Sequence, residues 1–393
     1  MKWENKYHEY DIVAKLYEEK YGFARGICIF GAGCIGEEIY SLLMKYDILR
    51  YVIDNKKRGN FFLYEIQSVE KYMMRRKNEL IIVCTSKKNY KSIEKQLSEF
   101  GLDKTRDFFW YEEYFSKIFP VCLFFFRNEL FVYNVQLSLT EKCTLRCKKC
   151  AHGCNMVSNN STDFKLTHAK ESVDNLFNII DYNHEFTLIG GEPFLYKNLK
   201  DIIEYIGGKY RNEIGILSIV TNGTILPDQR ILEMCHYYKV LFRISNYSHA
   251  LPYLKDKYTK LIKELKDYRI DYRIKKSEPV WMDYGFDYVD RKGKNLESVF
   301  NGCLTMCHEI RRDRFYFCIM ARSMSENGEK FNLTGKDDYF KLPGLTQISQ
   351  KERIEFFEYT MGYSEKGYLD MCNYCNGVDS YLHPIPSAEQ MEN

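Results

Sequence analysis

The chain has 393 residues with 57 basic and 54 acidic side chains, and its net charge of +3 excludes the strongly basic surface of a nucleic-acid binder. Its longest apolar run, Ile118 to Phe126, stops at Arg127, well short of the ~20 residues that cross a bilayer, and the opening MKWENKYHEYD lacks the apolar core of a signal peptide. Fourteen cysteines in such a chain argue against a disulfide framework and for metal or redox chemistry in a reducing, cytoplasmic compartment, and the length predicts two or three domains.

From Gly26 the chain reads GICIFGAGCIGEEIYSLLMKYDILRYVID: an apolar strand, a glycine turn, an amphipathic helix and a second strand ending at Asp54. The turn residues Gly31, Gly33 and Gly36 suit close approach of a phosphate to a helix N-terminus, and Asp54 stands where a ribose hydroxyl would be held. A strand at LIIVCTS (80–86) and a helix from Lys88 to Phe100 continue a parallel α/β pattern, and TRDFFWYEEYFSKIF reads as its exit. Residues 1–116 are therefore expected to form a doubly wound domain. The pattern resembles the half-Rossmann folds of sugar-nucleotide and polysaccharide pathway proteins. Both a ligand-binding and a purely structural or docking role stay open; only the first makes Gly31, Gly33, Gly36 and Asp54 site residues.

The second unit opens on the strand VYNVQLSLT (132–140), which delivers the loop EKCTLRCKKCAHGC. Helical patterns from Leu166, Asn198, Pro227 and Pro252 then alternate with the apolar strands EFTLIGG, IGILSIVTNG, KVLFRISN and IDYRIKK. Repeated βα units specify a parallel sheet, and their number suits a partial or full barrel, whose chemistry gathers at the strand C-termini. That edge carries the cysteine loop, Gly190-Gly191-Glu192-Pro193, Thr221-Asn222-Gly223-Thr224 and Ser245-Asn246-Tyr247.

Cys143, Cys147 and Cys150 stand in a C-x3-C-x2-C spacing. Four thiolates would close a [4Fe–4S] cubane or a zinc tetrahedron, whereas three leave one iron open to a substrate or cofactor. Zinc usually takes two separated C-x2-C pairs or a histidine, and His152 is too near Cys150 to complete a tetrahedron without strain. CTLRCKKC followed by GGEPFL resembles the radical S-adenosylmethionine (SAM) enzymes over roughly residues 132–275. The resemblance implies a partial (β/α)6 TIM-like barrel with SAM chelated to the open iron. There its reductive cleavage gives a 5′-deoxyadenosyl radical that abstracts hydrogen from a substrate. Gly190, Gly191, Glu192 and Pro193 then become contacts to the cofactor's ammonium group, and Asn222 and Ser245 either ribose or carboxylate contacts or plain helix caps. One departure is Lys149, where many members have an aromatic residue beside the adenine. Cys154 reads as a buried thiol behind the ligands.

From about Lys292 the chain holds Cys303, Cys307 and Cys318, and then the chelating turn Cys372-x2-Cys375, too many thiols for core packing alone. The layout resembles the shortened "twitch" form of the SPASM extension, which implies one auxiliary [4Fe–4S] cluster and hence two clusters in total. Cys303, Cys318, Cys372 and Cys375 form the preferred set, Cys307 fits a shorter spacing to Cys318, and a zinc knuckle from the same residues stays open. The expected architecture is thus a Rossmann-like domain (1–116), a radical SAM partial barrel (117–290) and a cysteine-rich cluster domain (291–393).

These expectations favour an enzyme acting on a sugar, nucleotide sugar or glycan intermediate by oxidation, epimerisation or dehydration, served by a flavodoxin- or ferredoxin-type electron donor. A maturase of ribosomally made peptides is the alternative, although the N-terminal pattern is not the winged helix such enzymes usually carry, and a non-catalytic iron–sulfur scaffold is a third. Glu192, His249, Asp283 and His308 are acid–base candidates near the mouth; none is assigned a role.

Overall fold

A computed structural model describes residues 10–21, 23–157, 163–286, 294–303, 307–327, 338–362 and 366–392. The chain divides into two compact units, one running through Tyr133 and the other from Asn134 onward.

In the first unit, strands β1 (Ile27–Phe30), β2 (Leu49–Ile53), β3 (Asn60–Phe61), β4 (Tyr64–Gln67), β5 (Leu80–Val83) and β6 (Phe108–Trp110) form one sheet in the order β3-β4-β2-β1-β5-β6. All neighbours pair in parallel except the β3–β4 hairpin. ICIF and LIIV read as unbroken apolar runs because β1 and β5 are buried on both faces. Counting only the five parallel strands, the order is 3-2-1-4-5, so the chain reverses its winding between β1 and β5. Two features escaped the sequence reading. The segment expected as an exit contributes β6, since a three-residue FFW strand is too short to show a period. The apolar run at 118–126 becomes the buried helix Phe119–Arg127, whose Phe119 packs edge-on against Phe23, Tyr46 and Phe131.

The second unit is built on one sheet of eight strands: β7 (Phe131–Ser138), β8 (Tyr182–Ile189), β9 (Ile214–Thr221), β10 (Leu241–Ile244), β11 (Tyr272–Ile274), β13 (His308–Arg311), β14 (Arg314–Tyr316) and β15 (Tyr339–Lys341). Their order is β11-β10-β9-β8-β7-β13-β14-β15; β12 (Val280–Met282) pairs separately and antiparallel with β16 (Pro384–Pro386). Strands β8 to β11 run parallel, with helices Leu166–Ile179, Leu199–Lys209, Gln229–Tyr237 and Leu254–Asp267 between successive strands from β7 onward. β13 joins parallel to β7, and β14 and β15 extend the sheet antiparallel. The cysteine-rich segment therefore shares its sheet with the βα units.

The registers Thr187↔Ser218 and Val220↔Arg243↔Arg273 put Glu185, Thr187, Ser218, Arg243 and Arg273 on one face of the sheet. Phe186, Leu188, Leu217, Ile219 and Phe242 lie on the other, fully buried. On the polar face Glu185 accepts from Ser218 Oγ (2.7 Å) and from both Arg243 Nε and Nη2, a bidentate pair that fixes the guanidinium. Such a sheet face needs polar company.

Candidate active site

The loop after β7 is zipped to the loop after β8. Leu139 N donates to Ile189 O, Gly191 N to Thr140 O and Glu192 N to Lys142 O, each at 2.8 Å. A Cβ on Gly190 would lie 2.5 Å from Thr140 O, and one on Gly191 2.2 Å from Lys142 O and 2.9 Å from the Cys143 Cβ. Both glycines are thus demanded by the cysteine loop itself, whose backbone takes the space a side chain would fill. Glu192 is fully buried; its carboxylate accepts from Asn222 N (2.9 Å), Thr221 Oγ1 (2.8 Å) and Phe194 N, and burial pushes it up to about 7 against these donors. It ties the end of β9 to the mouth. Pro193 opens the short turn that follows.

Asn222 Nδ2 reaches Cys143 Sγ at 3.5 Å and Thr144 Oγ1 at 3.2 Å, while its Oδ1 accepts from Thr224. Ser245 hangs by its N–H from Thr221 O and hydrogen-bonds the phenol of Tyr247. That phenol, pushed well up by burial, lies within the electrostatic reach of Cys147, Cys150 and Cys143, and its ring packs edge-on against Trp281. Cys143 in turn interacts with Cys150 and Cys147. Each thiol of the trio has a donor: Leu145 N for Cys143 (3.4 Å), Gln390 Nε2 for Cys147 (3.3 Å) and Cys154 for Cys150. Half-buried thiols gathered on one loop, with hydrogen bonds already aimed at the sulfurs, fit an iron–sulfur cluster.

Residues 135–252 match the family of 4Fe–4S single cluster domains. An S-adenosylmethionine-dependent nucleotide dehydratase of Selenomonas ruminantium is 30% identical over 103 residues, which is 25% of this chain and 33% of that protein. The chain thus matches a third of its relative's length. Among solved structures, BtrN in complex with AdoMet and 2-DOIA shares 16% identity at a TM-score of 0.40, covering 67% of this chain and 98% of that one. Native anSMEcpe with bound AdoMet shares 13% at a TM-score of 0.40, covering 61% and 84%. Streptococcus suis SuiB shares 16% at 0.31, covering 54% and 47%.

The cysteine loop thus lies within a 4Fe–4S domain.

Its second set of cysteines also converges. Burial pushes Cys318 and Cys372 up; Cys318 further senses Cys303, Cys375 and Cys372, and Cys372 senses Cys375 and Cys303. Cys372 belongs to a core with Leu296, Phe300, Met320 and Leu369, and Cys318 and Cys375 pack against it. Ala321 N donates to Cys318 Sγ (3.3 Å) and Gly377 N to Cys375 Sγ (3.2 Å). The buried Asp338 accepts from Asp370 N and Met371 N and so fixes the turn that presents Cys372. Cys307 precedes β13 and, with Cys303 and Cys375, acts on the Tyr284 phenol. Among the described residues no three Cys, His, Asp or Glu side chains meet as tightly as a single ion requires.

Between the two cysteine sets of the chain runs an ion network that the sequence did not suggest. Arg322, four residues after Cys318 and fully buried, pairs with Glu141 and, at 2.8 Å, with Glu309, and donates to Ser138 Oγ at 3.1 Å. Glu141 also meets Arg311 and lies 3.8 Å from Cys154 Sγ. Burial alone would raise Glu141; Arg322 and Arg311 outweigh it and hold the carboxyl below its ordinary value.

Two of the acid–base candidates, Asp283 and His308, are spent on structure. Asp283 pairs with Lys149 at 3.2 Å, so the lysine that replaces an aromatic residue is drawn away to a carboxylate. His308 is packed between Phe315 and Phe317, hydrogen-bonds Phe317 O and is pushed down to about 4 by burial, a core histidine. His249 is exposed.

In the N-terminal unit the glycine turn has the expected form. Gly31 takes φ +119, its added Cβ would meet Cys84 O at 2.6 Å, and one on Gly36 would meet Gly31 O at 2.3 Å; around Gly33 there is open space. Asp54, however, is already engaged: Oδ2 accepts from Ala32 N and Oδ1 from Lys56 N and Lys57 N. These donors outweigh its burial and hold its carboxyl below the ordinary range. Lys57 Nζ lies 2.6 Å from Ala32 O, beside the turn.

Proposed function

We propose that the chain is a radical SAM enzyme that reductively cleaves SAM at Cys143, Cys147 and Cys150 and abstracts hydrogen from a polar, carbohydrate-type small molecule for oxidation, epimerisation or dehydration. The observation that carries the site is the zipping of the cysteine loop to Gly190–Glu192, which brings three hydrogen-bonded thiols to one strand-end mouth. A cluster held there supplies, with SAM, the electron transfer that starts the hydrogen abstraction. The chain's own residues do the rest. Gly190 and Gly191 let the loop close, Glu192 locks the β9 end, and Asn222, Ser245 and Tyr247 line the approach to the thiols as candidate cofactor contacts.

The substrate reading rests on the polar row Glu185, Thr187, Ser218 and Arg243 on one sheet face, suited to hydroxyl and phosphate partners rather than to an apolar peptide side chain. A relative whose name is nucleotide dehydratase points the same way. Cys303, Cys318, Cys372 and Cys375 are proposed to hold a second cluster, with Cys307 as the alternate. They neighbour one another without the tight convergence that metal–sulfur bonds of about 2.3 Å impose around one zinc. The five-strand order 3-2-1-4-5 supports reading residues 1–116 as a Rossmann-like domain, and the β7 to β11 succession supports a partial barrel over 117–290. Fourteen cysteines suit a cytoplasmic protein with a flavodoxin- or ferredoxin-type donor. The test is deuterium transfer into 5′-deoxyadenosine from ring-deuterated nucleotide sugars. Transfer from one of them, at several times the uncoupled rate of SAM cleavage, is expected; transfer only from a deuterated peptide would move the reading to peptide maturation.

For the N-terminal unit we propose diphosphate binding at the turn. Gly33→Val is the informative change, because Gly31 and Gly36 are needed by the backbone whereas Gly33 faces open space. A nucleotide sugar at a hundredfold excess over its dissociation constant should stabilise the parent by about 2.7 kcal/mol in thermal unfolding. The variant should keep its own melting temperature and lose the shift. An equal shift in both would remove the turn from the site.

A further inference from the structure

The segment Ser387–Met391 leaves β16 and runs along the cysteine loop. Ala388, buried and at φ 51, turns the chain inward. Lys148 N then donates to Glu389 O (2.8 Å) and Met391 N to Arg146 O (2.7 Å), with Cys147 and Gln390 opposite each other as an antiparallel bridge. Within this short ladder the Gln390 side chain is fully committed. Its Oε1 accepts from Arg146 N at 2.7 Å, and its two N–H groups go to Ala388 O at 2.6 Å and Cys147 Sγ at 3.3 Å. The amide cannot be turned over, since Arg146 N–H needs an acceptor and Ala388 O a donor. The donor is therefore aimed at the sulfur by the amide's two other contacts.

We infer that Gln390 is a positioning residue that sets the reduction potential of the cluster on Cys143, Cys147 and Cys150, through its hydrogen bond to Cys147 Sγ. This rests on the assignment of those thiols to a cluster. A reduced cluster carries more negative charge on its thiolate sulfurs, so an N–H donor stabilises the reduced form more than the oxidised form and raises the potential. The backbone ladder supplies rigidity and keeps the amide in place when the loop carries its load. Asn222 Nδ2 on Cys143 is longer and shares its protons with Thr144, which leaves Gln390 the better-anchored side-chain amide of the two.

Gln390→Leu keeps the volume and the backbone ladder and removes both the donor and the acceptor. In an EPR-monitored redox titration of the SAM-perturbed cluster signal, the equilibrium constant for reduction should fall about tenfold, or about 59 mV for one electron, with iron content unchanged. In the cluster-free protein, hydrogen exchange of the Arg146 amide should accelerate at least tenfold in the variant while that of Lys148 stays within about twofold. A potential within about threefold of the parent's constant with iron retained, or unchanged exchange at Arg146, would overturn the inference. Failure of the parent to take up iron would instead overturn the cluster assignment, and the exchange measurement would still decide whether Gln390 holds the loop.

Discussion

Replacing Arg322 by methionine is expected to destabilise the protein by about 3–5 kcal/mol, because removing one partner of a buried ion network strands the other charges. Here Glu309 would be stranded and Glu141 left with Arg311 alone. Glu141 and Glu309 both pair with the one guanidinium, Glu309 is fully buried, and burial already pushes its carboxyl above the ordinary range with Arg322 in place. Methionine matches the stem but offers no donor, and lysine would not suffice either, since one point charge cannot fork between two partners. The urea midpoint of Arg322→Met should therefore drop sharply. Adding Glu309→Gln and Glu141→Gln should recover part of the loss, as contacting residues are coupled. A single-variant loss below about 1 kcal/mol would show that the network is not what holds helix Ile319–Asn327 against β7 and β13.

How far the sequence revealed this site depended on sequence distance. Cys143, Cys147 and Cys150 were legible because their spacing is local, and Gly190 and Gly191 because tight packing leaves a glycine signature. Their reason was less legible: the clash partners are Thr140 and Lys142, on a different strand's loop. Strands β8 to β10 showed as apolar runs between helical patterns. β6, at three residues, showed no period. β13 to β15 were hidden in a segment whose cysteines dominated the reading, and their joining to β7 depends on Glu309 opposite Gln136. Gln390 lies 243 residues from Cys147 and Arg322 181 from Glu141. Neither sits in a motif, and a lone glutamine or arginine carries no sign of burial until the fold brings it inward. Asp54 matched the ribose pattern in sequence, and in the fold three backbone N–H groups engage its carboxylate.

The central claim is that the three thiols of the cysteine loop hold the cluster at which SAM is cleaved. Its most direct measurement is 5′-deoxyadenosine formed from SAM under anaerobic, reducing conditions by the parent and by Cys143→Ala/Cys147→Ala/Cys150→Ala. The parent should form it. The variant, still holding about four of the parent's about eight irons on Cys303, Cys318, Cys372 and Cys375, should form none above the enzyme-free background. Equal formation by both proteins would contradict the account.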